Sequence, residues 1–182
     1  QTRHAAIQNF SNKNRSYLIL DFFNLVGTPV HEIGHLLFGL IFGYKINQIC
    51  LYRTTKKALR SGGTLGFVKM HHENRSFLQK LQGDFGQFFI GIGPLLFGPF
   101  VIYIISLFLP ENVRTLPLSF QQDWTIFFKA LQQLQASDII FLFIFLYIII
   151  GISLNMELSR QDLHLACKGL LFLEIFFLIL SG

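Results

Sequence analysis

Between Tyr17 and Tyr44 the chain is apolar over a length that can cross a membrane, yet it carries Asp21, Asn24, Pro29, His31, Glu32 and His35 inside that stretch. A helix facing lipid does not tolerate so many polar groups. They must face a protein interior or a water-filled cavity. Pro29 lacks an N–H, so it kinks the helix or starts its second half, and the spacing predicts helix from Val30 to Phe42.

Three further apolar segments follow: Phe85 to Leu109, Ile139 to Leu154 and Leu170 to Leu180. The second of the four contains Gly91, Gly93, Pro94, Gly98 and Pro99, a pattern of close helix approach and a kinked or broken span. The last is expected to begin a turn or more earlier, near Asp162. Hydrophobic residues make up 52% of the chain and charged residues 14%, too little charge to cover a soluble fold of this size. A soluble protein with a large apolar core fits the long runs poorly. The expected fold is therefore all-α and polytopic, a single membrane domain with about four transmembrane helices. A small β-hairpin or sheet is expected in the first loop, from Ile46–Tyr52 and Thr64–Met70 flanking the turn signal Ser61-Gly62-Gly63.

The expected order is a polar segment 1–16, a span 17–44, a basic loop 45–84, a span 85–109 and a connector 110–137. A span 138–154, a polar patch 155–168 and a final span 169–181 complete it. Trp124 to Phe128 in the connector has an interfacial character. Lys45, Arg53, Lys56, Lys57, Arg60, Lys69, Arg75 and Lys80 sit in or beside the loop, while the connector carries only Arg114 and Lys129. The positive-inside bias places the loop in the cytoplasm, the connector and N-terminus outside, and the patch from Asn155 to His164 back on the cytoplasmic side. The basic N-terminal stretch, with Arg3, Lys13 and Arg15, argues mildly the other way.

The formal charge of +5 is not a nucleic-acid footprint, because the basic residues are not interleaved with a stacking surface. Cys50 and Cys167 are too few for a zinc knuckle and read as reduced thiols. The polar N-terminal stretch has no cleavable-signal pattern. The chain starts at Gln1 and stops at Gly182 directly after an apolar run, which leaves trimmed ends and further spans open.

The chemistry concentrates in His31-Glu32-Ile33-Gly34-His35. Histidines four apart on a helix share one face, a turn apart, and their imidazoles can converge on one cation. Neutral imidazole suits zinc, and two histidines with one more protein ligand leave a position for water. Zinc lowers the pKa of such a water to about 7. Glu32 lies on the adjacent strip, placed to take the water's proton and return it to a leaving amine. The bland alternative is a satisfied polar cluster that holds helices together. Three ionisable residues in an apolar run are expensive without a metal or partners.

Asp162 is the expected third ligand and His164 the alternative, both in the polar patch. His71 and His72 read as a solvated pair. Asp21, Asp84 and Asp138 read as caps or interfacial charges. Glu174, deep in an apolar run, is functional by default or pairs across helices. Asn155 is a candidate to hold a substrate strand or an oxyanion, or else to cap a turn.

These pieces resemble the site-2 protease family of intramembrane zinc metalloproteases, and more narrowly its small bacterial relatives. The matching pieces run in order from Pro29-Val30-His31-Glu32-Ile33-Gly34-His35, through Gly43-Tyr44-Lys45-Ile46 into strands ending at Gly66-Phe67-Val68, to Gly93-Pro94-Leu95. Asn155 and Asp162 close the series. The resemblance implies zinc bound by His31, His35 and Asp162, with Glu32 as general base. It also implies cleavage of transmembrane or membrane-proximal segments of protein substrates. The prolines and glycine usual around the late aspartate of that family are missing from Asn155 to His164. Two other readings stay open: a non-proteolytic zinc-binding membrane protein, whether another hydrolase or an inactive adaptor, and a transporter or channel subunit.

Overall fold

The computed structural model describes residues 14–60, 62–73 and 76–181. Arg3 and Lys13 of the expected N-terminal segment, Ser61 of the expected turn and Arg75 of the basic loop lie outside the described residues. Helix α1 (Asn14–Ile41) is followed by β1 (Lys45–Cys50), the short α2 (Thr55–Arg60), β2 (Phe67–His71) and the long α3 (Phe77–Leu107). Three short helices come next: α4 (Glu111–Arg114), α5 (Leu116–Gln122) and α6 (Trp124–Gln132). Then come α7 (Ala136–Asn155) and α8 (Arg160–Ser181). The protein is mostly helical, with one small antiparallel sheet of β1 and β2. Helices α3 and α7 are long and apolar enough to cross a membrane.

Local sequence explains most element boundaries. Ser76 accepts the Gln79 N–H and starts α3 at Phe77, two turns before the apolar run begins. Pro29, Pro94 and Pro99 all sit inside helices; Pro94 is buried where α3 packs on Gly34 of α1, while Pro99 is exposed. The strands pair from Lys45 opposite His71 to Cys50 opposite Phe67, with an irregularity between Ile46 and Gln48. They lie a residue or more from the expected runs. Their connection is not a tight hairpin, because α2 is folded into it. Asp21 caps α2 from α1, accepting both Thr55 N–H and Thr55 Oγ1–H at 2.6 Å. Asp138 starts α7 in a capping box with Gln135 and also accepts from Asn112 Nδ2 at 3.1 Å.

Contacts between helices give their directions. Gly34 abuts Gly93 and Pro94, and Phe42 stacks on Phe89, so α1 and α3 are antiparallel. Along α7, Tyr147 reaches Phe22, Gly151 reaches Gly27, and Asn155 reaches Thr28 and Asn24, so α7 runs parallel to α1. Asp162 and Ala166 pack on Gly91, Gly169 on Phe88, and Phe172 on Phe85, so α8 is antiparallel to α3. Helices α7 and α8 therefore head the same way, and the chain does not turn back at 156–159. This corrects the expected layout of two opposed spans joined by a polar patch. The final helix starts at Arg160, close to the expected start near Asp162 and ahead of the apolar run itself, because Ser159 and Asp162 cap it and Gly91 admits its first turns against α3. The first half of α1 is covered by α7 and the first half of α3 by α8. Both cover helices meet at the middle of the bundle.

Candidate metal centre

The middle of the bundle is where His31, His35 and Asp162 come together. Their ligand-type atoms all lie within 4.8 Å of one another. His35 Nε2 is 3.2 Å from Asp162 Oδ1, His31 Nε2 is 3.7 Å from Asp162 Oδ2, and the two Nε2 atoms are 3.2 Å apart. Glu32, His35 and Asp162 are buried, and His31 is half-buried.

Backbone carbonyls orient both rings. His31 Nδ1 lies 2.7 Å from the Asn155 carbonyl oxygen, and His35 Nδ1 lies 2.7 Å from that of Ile90. A carbonyl only accepts, so each Nδ1 carries the hydrogen, and in the neutral ring each Nε2 then presents a lone pair. Two lone pairs and a carboxylate thus aim at one point. In low dielectric such a set repels itself without a cation between its members. Two imidazole nitrogens and one carboxylate oxygen, each ring held by a second hydrogen bond, fit a divalent metal and suit zinc.

Four helices meet here because each supplies a different part. Helix α1 places both histidines on one face. The N-terminal turn of α8 supplies Asp162, whose Oδ2 accepts the Ser159 N–H at 2.8 Å while Oδ1 faces His35. Ser159 Oγ accepts the Asp162 N–H in return at 3.2 Å, closing a capping box. Helices α3 and α7 supply the two orienting carbonyls.

Glu32 lies on the neighbouring strip of α1, under the segment that leads into β2. A Cβ on Gly66 would stand 2.8 Å from Glu32 Oε1 and 2.9 Å from the Leu51 carbonyl oxygen, so a side chain here would displace the carboxylate or the backbone. An open cavity of about 1150 Å³ contains the cluster and Glu32, and is walled by Gly62 to Met70 on one side and by Leu158 to Asp162 on another. Tyr44 and Gln87 also line it. Burial, with the Asp84 charge adding to it, pushes the Tyr44 phenol up. In the β1–α2 connection, burial and the nearby Asp21 push Tyr52 up to about 12.

Not every sequence candidate joins the cluster. His164 is exposed two residues beyond Asp162, which on a helix is the far side from Asp162. His71 bonds Asn47 Oδ1 at 2.7 Å, and His72 packs on Gly83 and the Tyr44 ring. Glu174 is exposed on α8, about 18 Å further along its axis than Asp162.

Asn155 borders the cavity, but its side chain is committed elsewhere. Its Nδ2 donates to Asn24 Oδ1 and to the Gly151 carbonyl, and its Oδ1 accepts from Thr28 Oγ1. Both amide hydrogens are therefore used inside the fold. These bonds form a lock between α1 and α7 that aims the Asn155 carbonyl at His31. Asn155→Ala is accordingly expected to lower stability by about 1–3 kcal/mol, since it strands buried Asn24 and Thr28. An oxyanion role predicts the reverse: unchanged thermal stability with a loss of kcat of about a hundredfold or more.

Sequence reasoning passed over Ser159 and Gln87, and named Gly66 only as part of a strand motif. The spacing of Ser159 and Asp162 is a capping-box signature that the sequence does contain. Gln87 had no local signal. Gln87 Oε1 is, among the described residues, a buried side-chain oxygen with no hydrogen-bond partner. No protein-family model, curated protein or solved structure matches the chain.

Proposed function

We propose that the protein is an intramembrane zinc endopeptidase of the site-2 protease type, which hydrolyses peptide bonds within or next to transmembrane segments. The observation that carries the reading is the convergence of His31 Nε2, His35 Nε2 and Asp162 on one point, with Glu32 beside them in a cavity large enough for a peptide. His31, His35 and Asp162 would hold the cation, which when bound would polarise the substrate carbonyl and lower the pKa of a water.

The remaining chemistry falls to side chains of the chain. Glu32 takes a proton from the attacking water as its oxygen bonds to the carbonyl carbon. It then gives that proton to the amine nitrogen as the carbon–nitrogen bond breaks. The substrate must be extended where it is cut, because a helix hides its carbonyls in hydrogen bonds. The β2 edge beside Gly66 offers backbone groups for such a strand. Gln87 Oε1 offers it an acceptor for one N–H.

In this reading α1 and α3 cross the bilayer in opposite directions. Helix α7 makes a third crossing parallel to α1 and ends at the 156–159 break, where the irregular backbone lines the cavity, and α8 continues beyond it in the same direction. The basic loop then faces the cytoplasm, and the connector between α3 and α7 lies on the far side. Partners are the bilayer and a membrane-protein or peptide substrate.

Metal analysis of the purified protein tests the centre. About one zinc per chain is expected, falling to background in His31→Ala. A chain without stoichiometric zinc, or a variant that keeps it, removes the basis of the proposal. The first outcome favours a transporter-like role for the polar residues.

A further inference from the structure

Helices α3 and α7 are both long and apolar enough to cross a membrane, and one ends at Leu107 while the other begins at Ala136. The segment between them is thereby held at the edge of whatever apolar layer surrounds them. It contains α5 and α6, and α6 is amphipathic. At helical spacing, Trp124, Phe127, Phe128 and Leu131 fall on one side of α6, and Thr125, Lys129 and Gln132 lie off that side, with Ile126 the apolar residue opposite it.

Phe120 of α5 meets this apolar side edge-on, 4.8 Å from the Trp124 ring and 5.4 Å from that of Phe127. The cluster is nevertheless left open. Trp124 is 60% exposed, Phe128 56% and Phe120 49%, and α6 has no buried residue. Nine residues of helix reach about 14 Å, too short to cross a bilayer. From 110 to 135, Glu111 and Asp123 balance Arg114 and Lys129, so attraction to anionic lipid is not what would hold this segment. Exposed aromatic rings beside polar groups, next to the ends of two apolar helices, suit the boundary between headgroups and acyl chains.

We propose that α5 and α6 form an interfacial anchor, with Phe120, Trp124 and Phe128 seated in the headgroup region of a neutral phospholipid bilayer on the side away from the β-sheet. The inference rests on the membrane reading given above. The anchor fixes the depth of the start of α7. Because α7 ends at Asn155, whose carbonyl orients His31, it also sets the depth of the metal centre.

Trp124 is the single tryptophan of the chain and reports on this directly. The full chain is reconstituted into phosphatidylcholine vesicles containing lipid spin-labelled either near the headgroup or deep in the acyl chain. Flotation with the vesicles is measured on the same samples. The expected result is co-flotation, with Trp124 emission quenched about twofold or more better by the shallow label than by the deep one, and protected severalfold from aqueous acrylamide. Phe127→Ser combined with Phe128→Ser should raise acrylamide quenching while flotation persists through the spans. Three outcomes in floating protein overturn the anchor. They are free access of acrylamide, stronger quenching by the deep label, and protection without lipid quenching, which would mean that protein covers the cluster. Failure to float overturns instead the membrane reading beneath it.

Discussion

Glu32→Gln is expected to lower cleavage of a membrane peptide by between about a hundredfold and ten-thousandfold, with zinc content and thermal stability unchanged. Glutamine keeps the shape of the side chain and its fit beneath Gly66, but it cannot accept the proton that the reaction must move. Measuring turnover and bound metal on the same preparation separates two failures. Full activity in the variant would end the general-base assignment. Lost activity together with lost metal would place Glu32 among the groups that build the centre, not among those that act in it. The substrate for this assay should be a peptide whose apolar segment contains helix-weakening residues, because an extended backbone is what the cavity and the β2 edge can receive.

Asp162→Asn is the second large effect. Asparagine still offers an oxygen to the Ser159 N–H, so the start of α8 should persist, while the carboxylate facing His31 and His35 is gone. Zinc affinity is expected to drop by about a hundredfold or more, because a three-ligand site loses its charged member. Peptide cleavage should fall with it, and excess zinc should restore part of it. His164→Ala is the control, expected to change neither quantity by more than about twofold, since His164 is exposed on another face of α8. Zinc retained in Asp162→Asn and lost in His164→Ala would reverse the ligand assignment.

The control matters because the sequence could rank the two residues but not separate them. Asp162 and His164 share one polar patch, and both are chemically competent ligands. What separates them is the phase of α8, set by the Ser159 capping box and by the contact of Asp162 and Ala166 with Gly91. The capping box was present in the sequence. The contact with Gly91 joins residues about seventy positions apart and had no local trace.

Other parts divide in the same way. His31, Glu32 and His35 were legible because their relation is one helix turn, and helix geometry is local. The sheet was legible as two β-leaning runs, but its register and the helix α2 inside its connection were not, because Asp21 of α1 caps that helix from outside. Asn155 was legible as a residue of interest, and its role was not. Three hydrogen bonds to α1 and to its own helix consume the groups that the sequence left available for substrate.

By itself the sequence determined the helical, apolar character of the chain and the placement of two histidines on one strip of helix with a glutamate on the next. Both follow from composition and from a period of a few residues. Only the tertiary structure decided that α7 and α8 run in the same direction, and that their junction brings Asp162 and the Asn155 carbonyl to those histidines. The reason is physical. Chain direction after a four-residue break is set by which helix faces are narrow enough to pack, here Gly27 on Gly151 and Gly91 on Ala166. Complementarity of that kind is a property of pairs of surfaces and cannot be read from either one alone.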